Sequence, residues 1–230
     1  MPAPLSVIIP TLNAEKTLPE TLGSLFEGVA EGVLHQVILS DGGSDDQTVK
    51  IAKEAGCKVI QGQSGRGAQI AAGVRDLRTP WVLILHADTT LPQGWSALME
   101  PCFETPLRAF YFKLNFRSQA WQARVVAWLA NGRAHFFGLP YGDQGLLVHR
   151  DLLNAVGGYP ESPLMEDVAL ARKLRGKLRA LPDAIATGAE RYEHAGWFAQ
   201  AFSNLLRLMK YFLGTSPEVL ARQYQRPPKT

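Results

Sequence analysis

Short apolar runs closed by turn-forming residues recur along the first third of the chain. Leu5-Ser6-Val7-Ile8-Ile9 is apolar and β-branched and stops at Pro10, the pattern of a buried strand. Thr11-Leu12-Asn13 then leads into helical spacing, with Leu18, Leu22, Leu25 and Phe26 on one face. A second strand over 33–39 ends in the polar turn 40–46. A helix over 47–55, a strand over 58–60 and a Gly-rich turn over 62–67 follow. A helix through Val74 and a strand over 81–85 complete this half. Strand alternating with helix predicts a parallel sheet with right-handed crossovers, and fully apolar strands fit a sheet covered on both faces.

Beyond Asp88 the rhythm changes. Residues 92–102 read as helix, 110–116 alternate like a strand, and 119–137 form a long helical stretch. A short strand over 145–148, a helix over 165–174 and a helical tail over 196–224, broken near Gly214 and Pro217, complete the pattern. No repeat, low-complexity linker or domain boundary interrupts it. Two stripes are apolar at helical spacing: Trp121, Val125, Trp128, Leu129 and Phe136, then Trp197, Phe198, Phe202, Leu205, Leu206, Met209 and Phe212. Most such stripes face a core. Arg207, Lys210, Arg222 and Arg226 add basic character, which leaves a dimer face or a peripheral membrane contact as alternatives. Core or dimer packing is the expectation.

Composition narrows the class. The 230 residues are 46% hydrophobic and 20% charged, which excludes a disordered or fibrous chain. A formal charge of +3 is too mild to imply nucleic-acid binding. Two cysteines, Cys57 and Cys102, exclude a disulfide scaffold and suit a reducing compartment. The N-terminus lacks a signal-peptide pattern, and no window reaches the roughly 18 apolar residues of a spanning helix. A cytoplasmic protein is the expectation, lying at most peripherally on the inner membrane face.

In open parallel α/β sheets ligands bind beyond the carboxyl ends of the strands. There the chain carries Pro10, Thr11, Asn13 and Glu15, then Asp41-Gly42-Gly43-Ser44, Gly65-Arg66-Gly67 and His86-Ala87-Asp88. Any one of these is ordinary turn chemistry; four in register at one edge mark a site. The Gly-rich turn is not a P-loop, because no Gly-Lys-Ser/Thr follows it, and Ile70 stands where a dinucleotide fingerprint needs its last glycine. It is not a nucleophile elbow either, since Arg66 replaces the closing glycine.

The segments Ser6–Glu15 and Ser40–Thr48 resemble the start of a family 2 glycosyltransferase of GT-A fold. Gly65-Arg66-Gly67-Ala68-Gln69, Leu85-His86-Ala87-Asp88-Thr89 and Gly142-Asp143-Gln144-Gly145 resemble one subgroup of small bacterial transferases, some linked with arsenosugar biosynthesis. Gly157-Gly158-Tyr159 and Met165-Glu166-Asp167-Val168 extend the likeness, which reaches Ser216-Pro217-Glu218. It implies an α/β Rossmann-like, mostly parallel sheet flanked by helices, with C-terminal helices. The chain would be one domain over 1–230, with a nucleotide-binding half (1–90), an acceptor half (91–194) and a helical tail (195–230).

The resemblance implies an inverting transfer of a sugar from a nucleoside-diphosphate sugar to a hydroxyl of a small-molecule, lipid or glycan acceptor, with no nucleic acid as partner. Asp88 takes the place of the metal-binding aspartate for Mg²⁺ or Mn²⁺, and His86 replaces the usual first aspartate of that motif. His86 is read as a hydrogen-bonded strand-end residue rather than a ligand. Asp41 matches the carboxylate that receives the base, and Pro10, Thr11 and Glu15 match donor contacts. Arg66 would face the base or the diphosphate. Asp167 inherits the role of general base, which makes a hydroxyl nucleophilic by taking its proton. Glu166, Tyr141, Asp143 and Gln144 fall on the acceptor side, and His194 is a candidate to complete the metal shell. Each has a plainer reading: helix-end charges for Glu166 and Asp167, a turn cap for Asp143, a surface residue for His194. The rivals are a nucleotidyltransferase, which needs a basic Gly-rich loop absent from Thr11–Glu15, and a non-catalytic nucleotide-sugar-binding protein.

Overall fold

The computed structural model describes residues 2–62 and 64–224; Met1, Gln63 and residues 225–230, Arg226 among them, lie outside the described residues. The first half alternates as its hydrophobic pattern predicts. Its elements are β1 (Leu5–Thr11), α1 (Leu18–Gly23), α2 (Phe26–Ala30), β2 (Leu34–Asp41), α3 (Thr48–Glu54), β3 (Lys58–Gln61), α4 (Arg66–Arg75) and β4 (Trp81–Ile84). These four strands pair in parallel in the order β3-β2-β1-β4. The second half holds β5 (Thr89–Thr90), α5 (Trp95–Phe103), β6 (Ala109–Phe116), α6 (Trp121–Phe137), β7 (Leu146–His149), α7 (Arg150–Ala155), α8 (Glu166–Lys173) and β8 (Leu178–Thr187). It closes with α9 (Glu190–Ala195), α10 (Trp197–Phe212) and α11 (Pro217–Tyr224). β7 runs antiparallel to β4 and β6, β6 parallel to β8, and β8 antiparallel to β5, so one mixed, mostly parallel sheet crosses both halves.

Alternation along β1 explains why its strand is apolar throughout. Leu5, Val7 and Ile9 pack under Leu18, Trp95 and Met99 on one face, while Ile8 packs with Ile70, Val82 and Leu152 on the other. Each such side chain contributes roughly 1.5–3 kcal/mol when fully buried, so both helical layers are anchored to the same strand. A smaller cluster of Leu114, Phe116, Val126, Ala127 and Trp197 ties α6 and α10 to the end of β6.

Three expectations change. The helix carrying Leu18, Leu22, Leu25 and Phe26 breaks into α1 and α2 at Ser24, whose hydroxyl bonds to the Thr21 carbonyl and accepts from Leu91 N; Phe26 is thereby turned out to solvent. Strand β8 is absent from the hydrophobic pattern because Pro182 and charged residues interrupt it. The ladder to β6 shifts register there, between Tyr111 and Lys113, which fits a proline that has no N–H to donate. The stripes of α6 and α10 do not face a core: most of their large side chains are exposed.

The N-terminal turn of α4 lies against the segment leading to α8. A Cβ on Gly67 would come within 2.5 Å of the carbonyl oxygens of Pro160 and Ser162 and 3.0 Å of the Glu161 carbonyl carbon. All three are backbone atoms, so the neighbour cannot simply rotate away. An Ala for Gly exchange in a helix ordinarily gains up to about 1 kcal/mol. Gly67→Ala is expected instead to destabilise the fold by about 1–3 kcal/mol through overpacking. Chemical denaturation checks the sign, and a more stable variant would show that α4 does not seat on this segment.

Candidate active site

At the carboxyl ends of β1 and β2 the loops are fastened to one another by buried polar side chains. Asp41, fully buried, accepts hydrogen bonds from the Gly43 and Ser44 amides and from the Thr11 and Ser44 hydroxyls. Those four bonds close the turn on Asp41, two of them from the Thr11 and Ser44 hydroxyls, which can rotate. The Glu15 carboxylate accepts one hydrogen bond, from Gln47 N, and Glu15 is not among the residues lining the two cavities described below. Gln69 donates from Nε2 to the Thr11 and Ser40 carbonyls at 2.7 Å each, clasping both strand ends to α4.

Above this clasp lies an open cleft of about 460 Å³. Pro10, Thr11, Asn13, Gly65, Arg66 and Asp88 help to line it. Asn13 holds φ of 51°, a conformation that Asn tolerates, and its Oδ1 accepts from Asp45 N. A second cavity of about 260 Å³ adjoins the first. Tyr141, Asp143, Glu166 and Asp167 stand in its wall, and Arg66, His86, Asp88, Leu164 and Arg191 belong to both. The sequence candidates Arg66, Asp88, Tyr141, Asp143, Glu166 and Asp167 thus meet where two cavities share a wall.

Gln144 does not join them. It is fully buried, donates to the Phe112 carbonyl at 3.1 Å and receives the Tyr141 amide, so it holds the loop rather than a ligand. Tyr141 presents one ring face to the Arg133 guanidinium, 3.3 Å from the ring centre, so that face is closed to a sugar. Asp167 is set by two backbone donors, Gly142 N at 2.8 Å and Val168 N at 2.7 Å. The residue before the Glu166-Asp167 pair, Met165, sits at φ 61°, rare for a residue of its kind and a strain placed at the site.

Charge is concentrated at the shared wall. Burial raises the Glu166 pKa, and the adjacent Asp167 carboxylate raises it further; Arg66, with Nε 3.4 Å from Oε1, partly offsets both. Burial opposes the Arg66 charge, but Glu166 and Asp167 outweigh it and hold its pKa above the ordinary value. Burial pushes Asp143 up to about 6, with Arg133 opposing the shift and Asp167 adding to it. Burial, reinforced by Arg66, holds His86 down at about 3, so its ring is neutral at physiological pH. Among the described residues four buried side-chain atoms have no hydrogen bond: Asp76 Oδ2, which pairs with Lys58 away from the site, and at the site His86 Nε2, Asp143 Oδ1 and Glu166 Oε1, the last beside Arg66 Nε; this corrects the reading of His86 as a satisfied strand-end residue at that nitrogen. Groups of this kind are normally paired; here His86, Asp143 and Glu166 all line the smaller cavity.

Glu190, Arg191, Gln200 and Asn204, which no sequence motif marks, line one cavity or the other, as does Arg207, expected instead on an outer basic face. The signal for three of them was the spacing 200, 204 and 207, a polar face opposite the apolar stripe of α10. His194, by contrast, is exposed, lines neither cavity and holds Glu190 O through Nδ1 at 2.9 Å, so it is not brought to Asp88. Among the described residues no group of three or more His, Cys, Asp or Glu converges to hold an ion. A hard cation still fits beside Asp88. A Cβ on Gly188 would overlap Glu190 Oε2 and lie 3.3 Å from Asp88 Oδ2, so the missing side chain leaves a cradle with two carboxylates. Mg²⁺ characteristically binds through one or two carboxylates and completes its shell with water and phosphate oxygens.

Arg66 and Glu166 generate a stability prediction. Arg66→Gln removes the offsetting charge, so the Glu166 pKa in the fold rises further. A carboxyl whose folded pKa is raised contributes stability below its unfolded value, here 4.5, and that contribution is lost as pH rises through the folded value. The variant is therefore expected to melt close to the parent at pH 5 and to fall increasingly below it toward pH 8. Melting curves across that range decide the matter; a deficit that shrinks with rising pH contradicts the pairing.

Residues 6–143 match Glycosyl transferase family 2. An uncharacterized glycosyltransferase of Mycobacterium tuberculosis is 30% identical over 91 residues, covering 39% of each chain. Glycosyltransferase AglJ of Haloferax volcanii is 36% identical over 94 residues, covering 39% of this chain and 30% of its own. The matched segment is thus well under half the length of these relatives. Among solved structures, S. aureus TarS 1-349 aligns over 92% of this chain and 66% of its own, with a TM-score of 0.60 at 18% identity. Glucosyl-3-phosphoglycerate synthase from Mycobacterium tuberculosis, solved with Mn²⁺, uridine diphosphate and phosphoglyceric acid, aligns over 88% and 77%, with a TM-score of 0.57 at 18% identity. These likenesses establish the GT-A fold, and the family match over more than half the chain carries the assignment: the chain belongs to glycosyl transferase family 2.

Proposed function

We propose that the chain transfers a sugar from a nucleoside-diphosphate donor in the larger cleft to an acceptor hydroxyl in the smaller cavity, with inversion at the anomeric carbon. The observation that carries this reading is the shared wall: Asp167, Glu166 and the partnerless His86 Nε2 and Asp143 Oδ1 face one cavity, and Arg66, His86, Asp88 and Arg191 border both. The relatives support the donor class, since S. aureus TarS was solved with UDP-GlcNAc and the mycobacterial synthase with uridine diphosphate and a divalent cation.

In the proposed reaction the acceptor oxygen attacks the anomeric carbon while its proton passes to Asp167. The bond from that carbon to the diphosphate oxygen breaks, and the nucleoside diphosphate leaves with the electron pair. The Gly142 and Val168 amides fix the orientation of Asp167 and leave it further acceptor capacity. Glu166, its pKa raised, takes up a proton more readily than an ordinary glutamate and so limits like-charge repulsion beside Asp167. Arg66 and Arg191 supply positive charge where the leaving diphosphate collects it. Asp88 and Glu190 would hold a divalent cation, which when bound neutralises diphosphate charge.

Asp167→Asn keeps the side-chain size but cannot take the acceptor proton. Turnover is expected to fall by roughly 10²-fold or more, with donor affinity little changed. Nucleotide release with and without acceptor, measured beside a melting curve, separates this from a structural effect. Near-normal transfer by a folded variant would remove Asp167 as base and leave Glu166 to be tested. A nucleotidyltransferase would instead release pyrophosphate from a nucleoside triphosphate, and a binding protein would release nothing.

A further inference from the structure

The amphipathicity of α10 is inverted relative to a core-packed helix. Phe198, Phe202, Leu205, Met209 and Phe212 follow helical spacing and are exposed, Phe202 at 60%. Its polar residues Gln200, Asn204 and Arg207 turn inward and line the smaller cavity. Helix α6 lies beside α10, with the rings of Trp121 and Phe198 5.8 Å apart. It adds exposed Trp121, Trp128, Leu129 and Phe136, the last at 80%. Two adjacent helices therefore display a continuous aromatic and aliphatic face, of a kind that monomeric proteins rarely leave uncovered.

Charge indicates what covers it. The chain has 21 carboxylates, yet neither 121–137 nor 197–212 contains one. Those stretches hold Arg124, Arg133, Arg207 and Lys210. Arg133 is drawn inward to the Leu139 carbonyl and Tyr141, and Arg207 to Asn204 and Ser203, while Arg124 is exposed and Lys210, also exposed, donates to Gln223 of α11 at 3.2 Å. Arg124 lies three residues from Trp121 and four from Trp128, and Lys210 four from Leu206, positions that share a helix face. No helix among the described residues is long and apolar enough to cross a membrane, so helices of this kind would lie in the interface plane.

We infer that the outer face of α6 and α10 docks on an anionic lipid bilayer, with the aromatic side chains at headgroup depth and Arg124 and Lys210 on the lipid phosphates. The smaller cavity, lined by the inner face of α10, then lies within about one helix diameter, ~10 Å, of the bilayer surface. This interaction does not depend on the transferase reading and is measured without turnover.

The test is flotation of the full chain with vesicles of phosphatidylcholine alone and of equal parts phosphatidylcholine and phosphatidylglycerol. The expected result is strong binding to the anionic vesicles, little to the neutral ones, and loss at high salt. Trp128→Ser with Phe202→Ser should reduce binding by about tenfold or more, and Arg124→Glu with Lys210→Glu by at least as much. All four side chains are exposed and none lines either cavity, so melting temperature and uridine diphosphate binding should hold in every variant; loss of nucleotide binding by the parent alone would count against the transferase reading and leave this one standing. Absence of vesicle binding, equal binding to both compositions, or a dimer in solution that the Trp128→Ser, Phe202→Ser variant disperses would overturn the inference.

Discussion

The approach of Gly67 to the backbone of Pro160 and Ser162 is the contact on which the site depends. It joins the parallel half of the sheet, through α4, to the loop that delivers α8. Arg66 precedes that glycine and Glu166 opens the helix beyond the loop, so one backbone contact brings a guanidinium to 3.4 Å from a buried carboxylate. Gln69, a few residues further along α4, fastens the same helix to the ends of β1 and β2. The larger cleft, the smaller cavity and the wall between them are thereby built on one short stretch of chain.

That stretch carries unfavourable terms that the rest of the fold must offset. His86 Nε2 and Asp143 Oδ1 are buried at the smaller cavity without hydrogen-bond partners, and each such group costs on the order of 1–3 kcal/mol. Met165 holds a left-handed backbone conformation immediately before the carboxylate pair. Burial raises Glu166 and Asp143 and lowers His86, all in the disfavoured direction for a charged group. Clustered at one cavity, these costs describe polar groups held ready for a ligand, whereas scattered ones would describe poor packing.

Much of this was legible from the residues. Apolar strands alternating with helices give the β3-β2-β1-β4 order its elements, and the turns after them carry Thr11, Arg66 and Asp88 to one edge. What the pattern cannot contain is where a polar side chain spends its hydrogen bonds. Asp41 and Gln144 stand in the expected loops, yet their hydrogen bonds go to the surrounding backbone and to neighbouring hydroxyls, choices set by tertiary contacts. Strand β8 was hidden because Pro182 breaks the alternation that marks a strand, and a register shift absorbs it. Helix α10 shows the converse limit: periodicity identifies an apolar face but not what lies against it, so a stripe expected to meet the core or a dimer partner is exposed on this chain.

The proposed donor and acceptor cavities meet at Asp88, which lines both. A crystal structure with uridine diphosphate and Mn²⁺ tests this proposal most directly. The nucleoside is expected in the cleft lined by Pro10, Thr11 and Asn13, with the diphosphate at the shared wall, where Asp88 and Glu190 would hold the Mn²⁺. A nucleotide bound elsewhere, or a diphosphate and metal remote from Asp88, would contradict it.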